Sequence, residues 1–166
     1  MDPDRVFRTL ADHQVDYLLI GGMNFFLRHR PVSTFDIDIW ILDQPANRRR
    51  CERALADVGA EWGPDDASWA PVAGRPPGWL DQQMVFCLLT DAGPVDVFRC
   101  VEGLGDWETS AAAAVEIRRP GGVNCPALSD RDLIRCQEAL PEALRRGERL
   151  NYLRGLLNDR EDGNGS

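Results

Sequence analysis

With 166 residues, 43% of them apolar, the chain is long enough for one domain with a buried core. Its net charge of −8 excludes a general nucleic-acid coat, which would be basic, while leaving room for a local basic cleft. All nineteen cationic side chains are arginines and lysine is absent, which excludes a lysine nucleophile, a Schiff base and a Walker-type lysine. Any phosphate must therefore be held by Arg forks or main-chain N–H groups.

Residues 3–13, "PDRVFRTLADH", place Val6, Phe7, Leu10 and Ala11 at helical spacing behind an Asp-Pro start. "VDYLLIGG" is a short apolar run ending in two glycines, a buried strand entering a tight turn. "MNFFLRHR" reads as a short helix stopped before Pro31, and "TFDIDIWIL" as a second strand. "PANRRRCERALADVGA" has proline near its start and glycine near its stop, a helix whose Arg48–Arg50 run lies on a solvated face. Residues 60–81 show no period and are rich in turn-formers, so they are expected as a long loop in which Trp62, Trp69 and Trp79 cover the core.

"QMVFCLLT" and "PVDVFRCV" flank Asp91-Ala92-Gly93 as a hairpin. Residues 107–117 are expected to be helical, "GGVNCPAL" to add a strand, and "SDRDLIRCQEAL" to open a helix capped by Ser129. A last helix should run from Pro141 to about Leu157, leaving 159–166 as a frayed tail. The fold class is thus α+β (α/β), a small mixed sheet flanked by helices. One domain spans 1–158, with a core at about 14–100 and a helical C-terminal part at about 106–158. Five cysteines, odd in number and without C-x-x-C spacing, fit reduced thiols, three of them in apolar stretches as core filler. No apolar run reaches the roughly 20 residues of a membrane span, and "MDPDRVFRTL" lacks a signal-peptide apolar core. A cytoplasmic protein without a membrane partner is the expectation. His13 and His29 read as isolated surface residues.

Asp36 and Asp38 stand inside an apolar strand, where a lone carboxylate is costly to bury. D-x-D pairs also occur at Asp2/Asp4 and Asp130/Asp132, but only the middle pair lies on a strand. Alternation puts Asp36 and Asp38 on one face and Phe35, Ile37 and Ile39 toward the core. Two carboxylates about 6–7 Å apart along one face repel unless cations accompany them, and hard divalent metals accept such oxygen ligands. Asp96 in "PVDVF" offers a third carboxylate from a neighbouring strand, and three acids on two strands can hold two metal ions. Gly21-Gly22 after the first strand places main-chain N–H groups and a helix start where a phosphate docks.

Gly21-Gly22, thirteen residues, Asp36-Ile37-Asp38 and the later Asp96 together resemble the nucleotidyltransferase superfamily of the DNA polymerase β type. Within it, the chain resembles the single-domain toxin nucleotidyltransferases of bacterial toxin–antitoxin and abortive-infection systems. The family's "R-x-T-x-D-I-D" is matched here by "V-S-T-F-D-I-D", with Thr34 in register, Val32 at the arginine position and Arg30 or Arg28 as the nearest substitute. The lysine that many relatives carry in the penultimate helix has only Arg135 or Gln137 in about its place.

The resemblance implies transfer of a nucleoside monophosphate from an NTP. Asp36, Asp38 and Asp96 would bind Mg²⁺ (two ions, Mn²⁺ as the alternative), and Gly21, Gly22, Asn24, Thr34 and Arg30 would hold the nucleotide. The implied acceptor is a tRNA 3′ end or a protein hydroxyl, with a cognate antitoxin as partner. The rivals are a catalytically inactive nucleotide-binding copy, an antibiotic nucleotidyltransferase and a D-x-D glycosyltransferase.

Overall fold

The computed structural model describes residues 1–163; of the expected tail, 164–166 lie outside the described residues. Helix α1 (Pro3–Asp12) starts where the Asp2 carboxylate accepts the Arg5 N–H at 3.1 Å, and it buries Val6, Phe7 and Leu10. Strand β1 (Tyr17–Leu19) leads directly into α2 (Gly21–Arg28) and then β2 (Ile37–Ile41). Helix α3 (Pro45–Asp57) follows. It is tied to the sheet by the buried Asn47, which accepts the Asp16 N–H and donates to the Asp16 and Leu42 carbonyls.

The stretch 60–81 differs from the expected loop. It contributes β3 (Glu61–Trp62) and β4 (Ala70–Pro71) to the sheet edge, joined by single turns of 3₁₀ helix. Strands this short have no periodicity to detect; the ladder they join defines them. Trp62 and Trp79 are buried and stacked at 5.6 Å, packed on Phe86, whereas Trp69 is partly exposed. Strands β5 (Val85–Thr90) and β6 (Gly93–Phe98) form the expected hairpin.

Helix α4 (Trp107–Ala112) stops short of the expected end, because Val115–Arg118 is β7, paired with β8 (Asn124–Ala127). Ser129 caps α5 (Asp130–Ala139) as read from the sequence. After a 3₁₀ turn, α6 (Gly147–Gly163) runs six residues beyond Leu157.

Among the described residues, one sheet has the order β4-β3-β5-β6-β2-β1-β8-β7, with β2 parallel to β6, β1 parallel to β8 and the other pairs antiparallel. Each face carries a hydrophobic cluster. One, with Leu19, Ile37, Ile39, Val95 and Val97, packs against α1 and α3; the other, with Leu18, Trp40 and Leu128, packs against α2, α5 and α6. Phe35 is a correction. It is 78% exposed, because it precedes β2 in irregular backbone where strand alternation does not apply.

The Arg48–Arg50 run is not simply solvated, since these arginines pair with Asp43, Asp81, Glu52 and Asp16. His29 is another correction: it is buried against Asp130, which also pairs with Arg28 and Arg160. Cys51 and Cys125 are buried filler, but Cys87 and Cys100 are exposed.

Candidate active site

Asp38 on β2 and Asp96 on β6 are direct partners in the parallel ladder, and Asp36 stands one residue before β2. Carboxylate oxygens of Asp36, Asp38 and Asp96 all lie within 4.8 Å of one another. The three acids are neither fully buried nor free in water, and their proximity has electrostatic consequences. Burial first, and the charges of Asp36 and Asp96 second, push the Asp38 carboxyl from 3.8 up to about 7, against the pull of the Gly22 N–H and Arg149. Asp96 is also raised, chiefly by burial, while the Cys87 thiol donates to it from the facing position on β5. Crowded oxygen ligands of this kind suit a hard divalent cation, which removes the repulsion that the bare carboxylates suffer. The fit to a metal such as Mg²⁺ is therefore good.

The glycine turn serves the acids as well as any phosphate. Gly21 has φ +66°, and a Cβ there would stand 2.0 Å from Asp38 Oδ2. Only glycine lets the carboxylate reach the start of α2, where it accepts the Gly22 N–H. Gly22 is equally confined: its Cβ would meet Thr34 Oγ1 at 2.8 Å and an Arg149 nitrogen at 3.0 Å. Gly21→Ala should therefore expel Asp38 from its position and destabilise the fold by about 1–3 kcal/mol. A thermal melt measures the loss, and metal titration should show weakened binding in the same variant.

A cleft of about 1030 Å³ opens from Asp36 and Asp38. Gly21, Gly22, Thr34 and Arg30, which the sequence resemblance assigns to the nucleotide, line it. The Thr34 hydroxyl donates toward the Asp36 main-chain and side-chain oxygens at 3.4 Å, and Arg30 lies over the Tyr152 ring at 4.7 Å. Asn24 is not a cleft residue. It is fully buried, its amide donates to the Leu19 and Leu128 carbonyls, and its oxygen accepts from Arg28. Its role is to fasten α2 to the sheet.

The sequence reading missed Arg149. It projects from α6 into the cleft, donates to the Ser33 carbonyl at 3.2 Å, and exerts an attractive field on Asp38. Arg145 and Arg146 line the same wall. The cation sought in α5 is thus one helix later. Arg135 is held by Asp132, and the Gln137 side chain accepts the Arg146 N–H. The available signal was the absence of lysine, which made "RRGER" a place to look.

No family model matches the chain, and no curated protein matches it. Solved structures do. A Thermotoga maritima protein provisionally described as a nucleotidyltransferase shares the fold with a TM-score of 0.52 at 18% identity, over 94% of this chain and 90% of that one. The lincosamide antibiotic adenylyltransferase LnuA, in its lincomycin-bound structure, gives 0.52 at 16% identity over 90% and 92%. ANT(2″)-Ia in complex with adenylyl-2″-tobramycin gives 0.57 at 12% identity over 95% and 88%. Among the described residues no helix is long and apolar enough to cross a membrane. What is common to these proteins and this one is the nucleotidyltransferase fold.

Proposed function

We propose that the protein transfers a nucleoside monophosphate from an NTP to a hydroxyl acceptor. The observation that carries this reading is the convergence of Asp36, Asp38 and Asp96 at the mouth of a cleft walled by a glycine turn and by arginines. Asp36, Asp38 and Asp96 would hold divalent metal, Mg²⁺ in two positions by the sequence resemblance. When bound, the metal supplies charge neutralisation at the phosphoryl group. Gly21, Gly22 and Arg149 would receive the triphosphate, through main-chain N–H groups at the start of α2 and a guanidinium that replaces a lysine.

The acceptor oxygen attacks the α-phosphorus, the bond from that phosphorus to the bridging oxygen breaks, and pyrophosphate leaves. Asp96, whose proton affinity is raised mainly by burial, takes the hydroxyl proton on a carboxylate oxygen. Arg149 in the cleft, where Val32 had left the motif without its arginine, supports the catalytic reading over an inactive copy. The acceptor classes that the fold admits are a tRNA 3′ end or a protein side chain, as in a toxin paired with an antitoxin, and a small molecule, as in the two antibiotic adenylyltransferases.

Calorimetry tests the nucleotide site. NTP binding should require Mg²⁺ and should vanish in Asp36→Asn/Asp38→Asn. Equal binding by variant and wild type would remove the metal assignment.

A further inference from the structure

We infer that the open edge of β7 is a docking surface for a second copy of this chain, the two β7 strands pairing antiparallel about a two-fold axis at Ile117. The inference goes beyond the nucleotidyl-transfer reading and does not rest on it. The sheet ends in β4 on one side and in β7 on the other. An edge strand presents main-chain N–H and C=O groups that lack a partner, a template for another strand. The β4 edge is blunted, because it is two residues long and one of them, Pro71, has no N–H to offer. In contrast, β7 has four residues, Val115–Arg118, and none is proline.

Two hydrogen bonds fix which groups of β7 point outward. The Arg119 N–H donates to the Val123 carbonyl at 2.8 Å, so along the antiparallel ladder the alternate residues Ile117 and Val115 also turn their main-chain groups inward to β8. From the other side, the Leu128 N–H donates to the Leu19 carbonyl of β1 at 3.0 Å. That directs Pro126 toward β1 and leaves Cys125 and Ala127, the partners of Ile117 and Val115, for β7. Both bonds give the same parity. Glu116 and Arg118 therefore turn their N–H and C=O groups to the open edge, where among the described residues nothing bonds to them.

The side chains make this edge self-complementary. Val115 and Ile117 pack with the first hydrophobic cluster, while Glu116 and Arg118 alternate to the other face and are exposed. Neither forms an ion pair among the described residues. A two-fold at Ile117 sets Glu116 opposite the second copy's Arg118, and Arg118 opposite the second copy's Glu116. Each of these pairs exchanges two main-chain hydrogen bonds, because both residues face the open edge. Each also sets a carboxylate across from a guanidinium on one face of the joined sheet. A two-fold at Glu116 or at Arg118 would face like charges instead, so charge selects the register at Ile117. Any foreign strand offers main-chain groups; what this chain's own sequence adds, read backward, is the matching order of charge.

Sedimentation equilibrium of the full chain across the micromolar range tests this. The wild type should show a concentration-dependent equilibrium between monomer and dimer with no larger species, since a two-fold contact uses up the edge. Glu116→Arg and Arg118→Glu should each weaken self-association by about tenfold or more, because each turns two attractions into two repulsions. Mixed in equal amounts, these two variants should form a heterodimer as strong as the wild-type dimer, with arginine again facing glutamate at both positions. The double variant Glu116→Arg/Arg118→Glu restores both attractions within one chain and should dimerise like the wild type, which guards against a folding defect in either single variant. A monomeric wild type, an assembly larger than a dimer, a dimer indifferent to both charge reversals, or failure of both the mixed pair and the double variant to associate overturns the inference.

Discussion

Replacing Asp38 with asparagine is expected to raise the melting temperature of the metal-free protein by several degrees while abolishing nucleotidyl transfer. The folded chain holds the Asp38 proton more tightly than the unfolded chain does, because burial and the neighbouring carboxylates push its pKa from 3.8 to about 7. A raised acid imposes no penalty below its unfolded pKa. The penalty grows as pH rises from there toward about 7 and is complete above it.

At about 1.36 kcal/mol per pKa unit, discounted by about half for solvent access and relaxation, the penalty is roughly 2 kcal/mol. For a chain of this size that is about 4–8 °C. Asparagine keeps the shape and an acceptor for the Gly22 N–H but carries no charge. Melts in EDTA should therefore show a gap between variant and wild type that is small near about pH 4 and full near about pH 8. Saturating Mg²⁺ should reverse the order by stabilising only the wild type. If the variant melts lower in EDTA, the carboxylate is a structural acceptor whose loss leaves donors unsatisfied at about 1–3 kcal/mol, and the catalytic assignment fails.

Arg149→Leu is expected to weaken Mg²⁺-NTP binding by about ten- to hundredfold, the range for losing a charge-assisted contact of roughly 1.5–3 kcal/mol. Arg149→Lys should recover only part of this, since a point ammonium cannot present the planar fork to a phosphate. The variant also has an electrostatic signature that a merely structural arginine would not produce. Arg149 lowers the Asp38 pKa, so its removal should move the pH midpoint of metal-free stability further upward. Titration with a fluorescent NTP measures the affinity, and melts across pH measure the shift. Unchanged affinity would mean that the arginine wall of the cleft is not where the triphosphate lies.

Local sequence reported Asp36, Asp38 and Asp96 well, because each is a charged residue among apolar neighbours. Burying Ile37, Ile39, Val95 and Val97 on one face leaves the acids no choice but the other. The glycine pair was equally legible, although its sharper purpose, room for the Asp38 carboxylate, appears only when β1 and β2 are set side by side. Strand alternation misplaced Phe35 because the strand begins two residues later than the apolar run suggests. Asn24 looked like a nucleotide contact by proximity in sequence. It is instead claimed by the main-chain carbonyls of Leu19 and Leu128, the latter 104 residues away.

What the sequence by itself determined is most of the elements, though not β3, β4 or β7, since hydrophobic period, caps and turn residues act within a few residues of one another. It also determined that any phosphate must meet arginine or main-chain N–H groups, because lysine is absent. Which arginine, only the tertiary structure decided. Arg149 comes near Asp38 because Leu150 and Leu153 pack α6 into the second hydrophobic cluster, a contact between segments more than a hundred residues apart. Sheet order and helix coverage are set by which surfaces exclude water together, and no local stretch encodes that.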